Sequence, residues 1–534
     1  MTSPTRTDKS QFHPDFSSFI PEYLQPKRSV RIEELLLSNK PLLEFERKEF
    51  LQTAKISATR QLLDFLASER NQAVSNISDA KSLSHPLRNL PDDVLRAIFR
   101  ACTKSVDQAF DGGYASLNPT VAVESIQPNQ SPWTPSFVCQ QWRAVAIHDA
   151  ELWSLTELDL DKRPKDNELA KNRVFRLGLS LFRSNGHDLS IRLHGKDGVP
   201  YISPMLQILL PTAPYWKRLS VCLPLSSFQH FSVYKGYLNR LDTLYVGIGN
   251  CDSADHLHID AFRLAPSLKV VGMLLEHWPV AFTHISIPFS RITSFLSGGG
   301  NLYTYQSLRR LPRVRMLTLV CWRNFVELEV EPAEPITLPN VTFLHLLALR
   351  LPNSSSSVNH MYSLLIIPSL QFLKISFFGS DQILFVYPDS YPIKTLTIEV
   401  HNQSQEACTG LPDNLPRFLR RTPQLEELHI LTRATNLPDQ WINGLVYTSE
   451  HDAVAPCLRV LSMPSGLSAG DLCCLVNVIE SRRRKYGCLS DGGQCMLLEK
   501  AVLGPEPLQF NSEELSERWS ALCTGELIVT HRNK

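Results

Sequence analysis

Glycine is scarce in this chain. Its 534 residues contain 23, where a usual share of about 7% would give roughly 37, so collagen-like and glycine-rich linker architectures are excluded. A net charge of one sign is also missing: 54 Lys and Arg stand against 53 Asp and Glu, leaving +1. No global field draws in nucleic acid or an anionic membrane, and neither is expected as a partner. No window approaches the ~18 uninterrupted apolar residues of a membrane span, and the opening MTSPTRTDKSQFHPDF lacks the apolar stretch of a secretory signal. The expectation is a soluble, intracellular protein, cytoplasmic, nuclear or both. The twelve cysteines include no Cys-x-x-Cys pair, which removes zinc-ribbon and thioredoxin-like readings and leaves reduced thiols, most of them small hydrophobes in the core.

Proline is what the chain has in excess, with 36 where a share of about 5% gives roughly 27. Hydrophobic residues at 43% and charged ones at 20% are ordinary, enough for a sizeable core. Residues 1–29 are polar and proline-punctuated, and a disordered tail is expected there. From 30 to 80, Ile32, Leu35, Leu36, Phe50, Leu51, Leu62, Leu63, Phe65 and Leu66 recur at helical spacing. That pattern predicts a short helix, an interruption at Pro41, and a helix of about six turns ending near Ser78, amphipathic enough to pair with its own chain or, coiled-coil-like, with another.

Between 85 and 155 the sequence carries Leu90-Pro91-Asp92-Asp93-Val94-Leu95, then Ile98 and Phe99. Pro91 suits a first helical turn, the aspartates favour its positive end, and Val94, Leu95, Ile98 and Phe99 form one stripe. After a 33-residue polar stretch, 103–135, comes a second helix with Val138, Trp142, Val145 and Ala146 on one face, closed by Leu152-Trp153-Ser154. This order resembles the F-box proteins common in filamentous fungi, with Leu-Pro-x-Asp/Glu-Val-Leu-x-x-Ile-Phe, then Val-Cys-x-x-Trp-Arg-x-x-Ala, then Leu-Trp. The connection is longer than the family's, and such an insertion is tolerable where it loops into solvent. The resemblance implies docking onto a Skp-type adaptor through Leu90, Pro91, Val94, Leu95, Ile98, Phe99, Val138, Trp142 and Trp153.

Beyond residue 200 the prolines acquire a period. A pattern Pro-x-Leu-x-x-Leu-x-apolar starts at Pro214, Pro266, Pro312, Pro339, Pro368, Pro423 and Pro456, and degenerate copies start at Asn239, Ser290 and Tyr391. The ten starts average about 27 residues apart, inside the ~20–29 range of leucine-rich repeats. A proline fixes φ just before a short strand and, as its first residue, needs no ladder donor. The alternating leucines cannot bury one face without stacked neighbours. The region 156–490 thus looks like an irregular leucine-rich-repeat solenoid with a parallel strand face, Leu158-Asp159-Leu160 and Leu189 to Leu193 supplying further strands, and 491–534 serves as a cap with a helix near Ser512 to Leu522. The expected fold class is α/β: N-terminal helices and a helical F-box module followed by the solenoid.

Several patterns imitate chemistry. Asp255-His256-Leu257-His258-Ile259-Asp260 resembles the His-x-His-x-Asp-His core of metallo-β-lactamases, but position 261 is Ala, no apolar strand immediately precedes it and it falls inside a repeat interval. Gly298-Gly299-Gly300 lacks the Lys-Ser/Thr of a phosphate loop, and there is no Gly-x-Ser-x-Gly elbow. Arg482-Arg483-Arg484-Lys485, ending a helix capped by Ser468, is expected to face water at the negative end of the helix dipole, with nuclear import as the other reading. The combined expectation is a non-enzymatic substrate-receptor subunit of an SCF-type cullin–RING ubiquitin ligase, without cofactor or metal, binding an unidentified target protein through the repeats. A non-ligase interaction scaffold and, remotely, a metal-dependent hydrolase built on His256 and His258 are the alternatives.

Overall fold

The computed structural model describes residues 42–83, 90–110, 124–161, 166–195, 202–248, 258–274, 285–298, 307–321, 334–348, 364–377, 392–401, 415–432, 442–446, 454–464, 467, 469–483, 497–504, 510, 512–524 and 527–531. The tail to residue 29, the expected helix at Ile32–Leu36, and Ser468, His256, Arg484 and Lys485 lie outside them. The chain divides into two units, 1–91 and 92–534.

The first unit holds one described helix, α1 (Leu42–Leu83), which starts just past Pro41 and runs unbroken beyond Ser78. Adjacent apolar pairs, Phe50/Leu51, Leu62/Leu63 and Phe65/Leu66, are all exposed. Successive residues on a helix are about 100° apart, so these side chains spread around the cylinder instead of forming one narrow stripe.

The second unit is built on parallel strands. They are β1 (Leu155–Asp159), β2 (Leu189–His194), β3 (Trp216–Leu223), β4 (Thr243–Ile248), β5 (Val270–Leu274), β6 (Ser294–Gly298), β7 (Met316–Cys321), β8 (Ile336–Thr337), β9 (Phe343–Ala348), β10 (Leu365–Ile366), β11 (Phe372–Phe377), β12 (Thr395–Val400), β13 (Glu427–Thr432), β14 (Val460–Ser462), β15 (Lys500–Leu503) and β16 (Ile528–His531). β8 and β10 pair with each other, and the other 14 form one open sheet in sequence order. Helices α2 (Asp92–Cys102), α3 (Val106–Phe110) and α4 (Gln140–His148) precede the sheet. Helices α5 (Asn167–Arg183), α6 (Ile202–Leu209), α7 (Gln229–Ser232), α8 (Leu415–Arg420), α9 (Ala469–Arg483) and α10 (Glu513–Thr524) connect its strands.

Each of the ten sequence units supplies one strand. In nine of them the strand begins four residues after the unit's first residue, as in Pro266 before Val270 and Pro312 before Met316; β3 starts two residues after Pro214. The proline therefore stands in the turn and not, as the spacing alone suggested, at the strand's first position, so its missing N–H costs the ladder nothing. The third residue of the unit is buried before the strand starts, as Leu268, Val314, Val341 and Leu370 show, and the sixth and eighth residues follow it inward. In register, Leu219, Leu244, Val271, Phe295, Leu317 and Leu344 form one continuous buried row across β3 to β9. Each such side chain contributes about 1.5–3 kcal/mol on burial, and none can be buried without the coils on either side.

The long connection after α2 does not loop into solvent at its described ends. Ser125 N donates to Glu157 O at 3.1 Å and Asp159 N to Glu124 Oε1 at 3.1 Å, so residues 124–125 satisfy part of the open edge of β1. Ile126 is buried in the main core. The basic run at the end of α9 departs from expectation too: Arg482 is buried, donating to the carbonyls of Leu445, Val454 and Ala455, and Arg483 donates to Leu498 O. Arg482 is turned away from water and Arg483 is half-buried. A guanidinium carries five N–H donors in a fixed fork and can serve several carbonyls at once. None of the seven described free cysteines is fully buried either; Cys139, for instance, caps α4, its Sγ accepting from Trp142 N at 3.5 Å.

Candidate functional site

Two surfaces stand out. The first is the end of the α2–α4 pair. Gln141 Nε2 donates to Asp92 Oδ1 at 3.1 Å, joining the helix N-termini, and Arg100 grips Asp149 through Nε (2.9 Å) and Nη2 (2.8 Å) at the C-terminal ends, so the helices lie side by side in the same sense. Their interior is Leu95, Phe99, Val145 and Ala146, with Trp142 half-buried and its ring 5.1 Å from that of Phe99. Trp153 is fully buried, donates Nε1 to Ala146 O at 2.7 Å, and packs edge-on against Trp133 under the Arg183 guanidinium, 4.5 Å away. Burial pushes the Arg183 pKa down. Of the nine expected adaptor contacts, three are thus interior: Leu95, Phe99 and Trp153. Leu90, Ile98 and Trp142 are half-buried, and Pro91, Val94 and Val138 are exposed. Phe137, 60% exposed like Val138, stands next to it just before α4. The sequence offered no stripe to mark it, because it precedes α4 in a tight 3₁₀ turn, Thr134–Phe137.

The second surface is the outer face of the sheet, made by the strand residues that alternate with the core rows. Near its first strands it is occupied by the chain itself. Ala109 and Phe110 of α3 are buried in a cluster with Leu155, Tyr245, Leu296, Val320 and Leu347, Phe110 lying 6.3 Å from the Tyr245 ring. Asp107 pairs with Arg218 at 2.7 Å and Lys104 with Glu157 at 2.8 Å, Glu157 also holding Arg192 at 2.9 Å. The edge of the Tyr245 ring abuts Gly272 on the next strand, where any Cβ would collide with it; this close approach is what requires glycine there.

Further along, across β9, β11 and β12, the outer face is polar. His345 Nε2 meets Ser376 Oγ at 2.9 Å, and Ser376 Oγ donates to Glu399 Oε2 at 2.9 Å, which also holds Lys374 Nζ at 2.6 Å. Burial, with Lys374 second, lowers the His345 pKa to about 4. Burial pushes the Glu399 carboxyl up, but hydrogen bonds from Lys374 and Ser376 outweigh it and leave the pKa below its ordinary value. With its one proton committed to Glu399, the serine oxygen accepts from a neutral His345 Nε2–H. That polarity is the reverse of the serine-to-histidine transfer a nucleophile needs.

Asp159, Asp161 and His194 place one ligand-type atom each within 4.8 Å of one another, with His194 Nε2 engaged by Asp161 at 3.1 Å. Of the sequence-level metal candidate only His258 and Asp260 lie among the described residues: His258 Nε2 faces Ser286 Oγ at 2.8 Å and Asp260 pairs with Lys235. Among the described residues no helix is long and apolar enough to cross a membrane. The fold thus defines a mixed α/β chain with an N-terminal helix and an open, 14-stranded, all-parallel sheet built coil by coil. No protein-family model matches it, and no curated protein shows a significant match.

Proposed function

We propose that this chain is the substrate-receptor subunit of an SCF-type cullin–RING ubiquitin ligase and acts inside the cell. In this reading the module ending near residue 155 is an F-box that docks a Skp-type adaptor, and the repeats form an irregular leucine-rich-repeat solenoid that holds a target protein. The observation that carries the reading is the split within the α2–α4 pair. Leu95, Phe99 and Trp153 are buried, Trp153 against α4 and Trp133, while Val94 in the first turn of α2 and Phe137 and Val138 just before α4 stay exposed. A helix pair needing only internal packing has no use for such a group, and exposed apolar patches mark interaction sites. The chain's own contribution is positioning: it raises the effective concentration of target lysines near the conjugating enzyme.

Full-length protein captured on immobilised Skp-type adaptor tests this directly. Val94→Asp combined with Val138→Asp places charges in a desolvated interface and weakens capture about 100-fold or more, with an unchanged circular dichroism spectrum because both positions are exposed. No capture of the unaltered chain, or equal capture of the double variant, rejects the ligase reading and leaves an interaction scaffold.

A further inference from the structure

The fourth residues of the repeat units stand one behind another along the strand-entry rim of the sheet. Backbone bonds fix the order: Asp242 N donates to Lys217 O, Lys269 N to Asp242 O, and Thr293 N to Lys269 O, each at 2.9 Å. Arg315 N then donates to Thr293 O at 2.7 Å and Thr342 N to Arg315 O at 2.9 Å. At both ends of the stack the cations of this row are matched by carboxylates. Lys217 pairs with Asp188 at 3.2 Å, Lys394 with Glu426 at 2.9 Å, and Arg459 with Glu499 at 2.6 Å.

Over β5 to β7 the pattern breaks. The neighbours of Arg315 in the row are threonines, and Asp242 makes no ion pair with Lys269. Arg313, two residues before Arg315, adds another cation to the same rim. Of the nearby anions, Glu334 is taken by Arg309 at 3.3 Å and Asp260 by Lys235, and Asp242, beside Lys269 in the row, is half-buried, its Oδ1 enclosed and bonded to no cation. Lys269, Arg313 and Arg315 are therefore exposed cations without a carboxylate partner among the described residues. Surface charge usually appears with its opposite interspersed, as it does elsewhere on this rim, and an unmatched group in an otherwise matched row is a site of charge complementarity.

We infer that this rim segment binds an extended, Asp/Glu-rich segment of a partner protein. Strands lie about 4.8 Å apart, so Lys269 and Arg315, two strands apart, present cations roughly 10 Å from each other. Same-side residues of an extended peptide recur about every 6.6–7 Å, so a peptide running along the stack with carboxylates at every second or third position meets this spacing. Arginine's planar fork suits carboxylates in particular. Three open cations on a chain of net charge +1 are a short track for a nucleic acid, whose affinity is built from many phosphate contacts. The inference rests on the reading of the repeats as the target-binding part.

The test is fluorescence anisotropy of a labelled twelve-residue peptide of alternating Glu and Ser against full-length protein at 50 and 300 mM NaCl. Binding at low salt, lost at high salt, is expected, as is no binding of the matching Gln and Ser peptide. Arg313→Glu with Arg315→Glu is expected to weaken binding about tenfold and Lys269→Glu about threefold, as for the loss of exposed ion pairs, with circular dichroism unchanged. Absence of low-salt binding, equal binding of the Gln peptide, or indifference to the double reversal overturns the inference. So does displacement of the peptide by a lower concentration of a ten-nucleotide single-stranded RNA, or binding that appears only after Glu327, Glu329 and Glu331 of the chain itself are changed to Gln. Adaptor capture on the same preparation separates the two failures: capture without peptide binding rejects the rim alone, and peptide binding without capture rejects the ligase reading alone.

Discussion

His345 on β9 sits where a titrating side chain meets the stack, facing Ser376, Lys374, Glu399 and His401 from β11 and from β12 and the residue after it. Burial holds it neutral down to about pH 4, whereas in an unfolded chain it takes up a proton near pH 6.5. Between these values the unfolded state binds more protons, so stability falls as pH drops from about 6.5 to about 4 and the effect levels off below. Urea unfolding across this range is expected to lose up to about 3 kcal/mol through this one group, and His345→Gln removes that part of the slope. Glu399, its pKa depressed, adds a loss of the same sign at the acidic end. Nothing in Phe343-Leu344-His345-Leu346 distinguishes this histidine in the sequence, since its partners lie about one repeat or more away.

At the scale of elements, the connection after α2 is the main departure from expectation. Its polar composition implied solvent exposure, yet α3 is seated on the outer face of the sheet through Phe110, and residues 124–126 finish the edge of β1. An edge strand left open is an aggregation hazard, and a long connection that returns to cover it removes the hazard with only a slow entropic penalty for its length. Phe110→Ala deletes the ring that packs on Tyr245 and is expected to destabilise the protein by about 3 kcal/mol, measurable as a lower denaturant midpoint with an unchanged m-value. Equal stability of the variant would show that α3 rests on the sheet without holding it. The same logic divides the expected adaptor residues: Leu95 and Val94 are adjacent in sequence, but α2 turns one into the interior and the other toward solvent.

For the whole molecule, stability is a sum of neighbour contacts along the stack, and the terminal coils are where that sum is weakest. β15 is closed by β16 through Lys500–Leu503 paired with Ile528–His531, and Leu527 is buried beside it. Arg518 of α10 ties back to α9 through Glu480, at 2.9 and 2.8 Å. Truncation after Gly504 uncovers the row of β15 backbone donors and acceptors, and concentration-dependent association by size-exclusion chromatography with light scattering is the expected outcome. A truncated chain that stays monomeric at every concentration tested contradicts this role for the C-terminal segment.

The strand positions follow from residue order alone. Burial by alternation is a local rule, so the spacing of Leu241, Leu244 and Val246, or of Leu425, Leu428 and Ile430, marks a strand wherever it recurs, and ten units spaced about 27 residues apart imply stacking because no single one can bury its leucines. Three-dimensional packing settled the rest: which residues of the α2–α4 pair face inward, that Arg482 is buried on three carbonyls, that α3 lies on the sheet, and that Lys269 and Arg315 make no ion pair among the described residues while Lys217, Lys394 and Arg459 of the same row are paired with carboxylates. Each of these depends on a neighbour a full repeat or more away in sequence, and the local pattern carries no information about that neighbour's charge or shape.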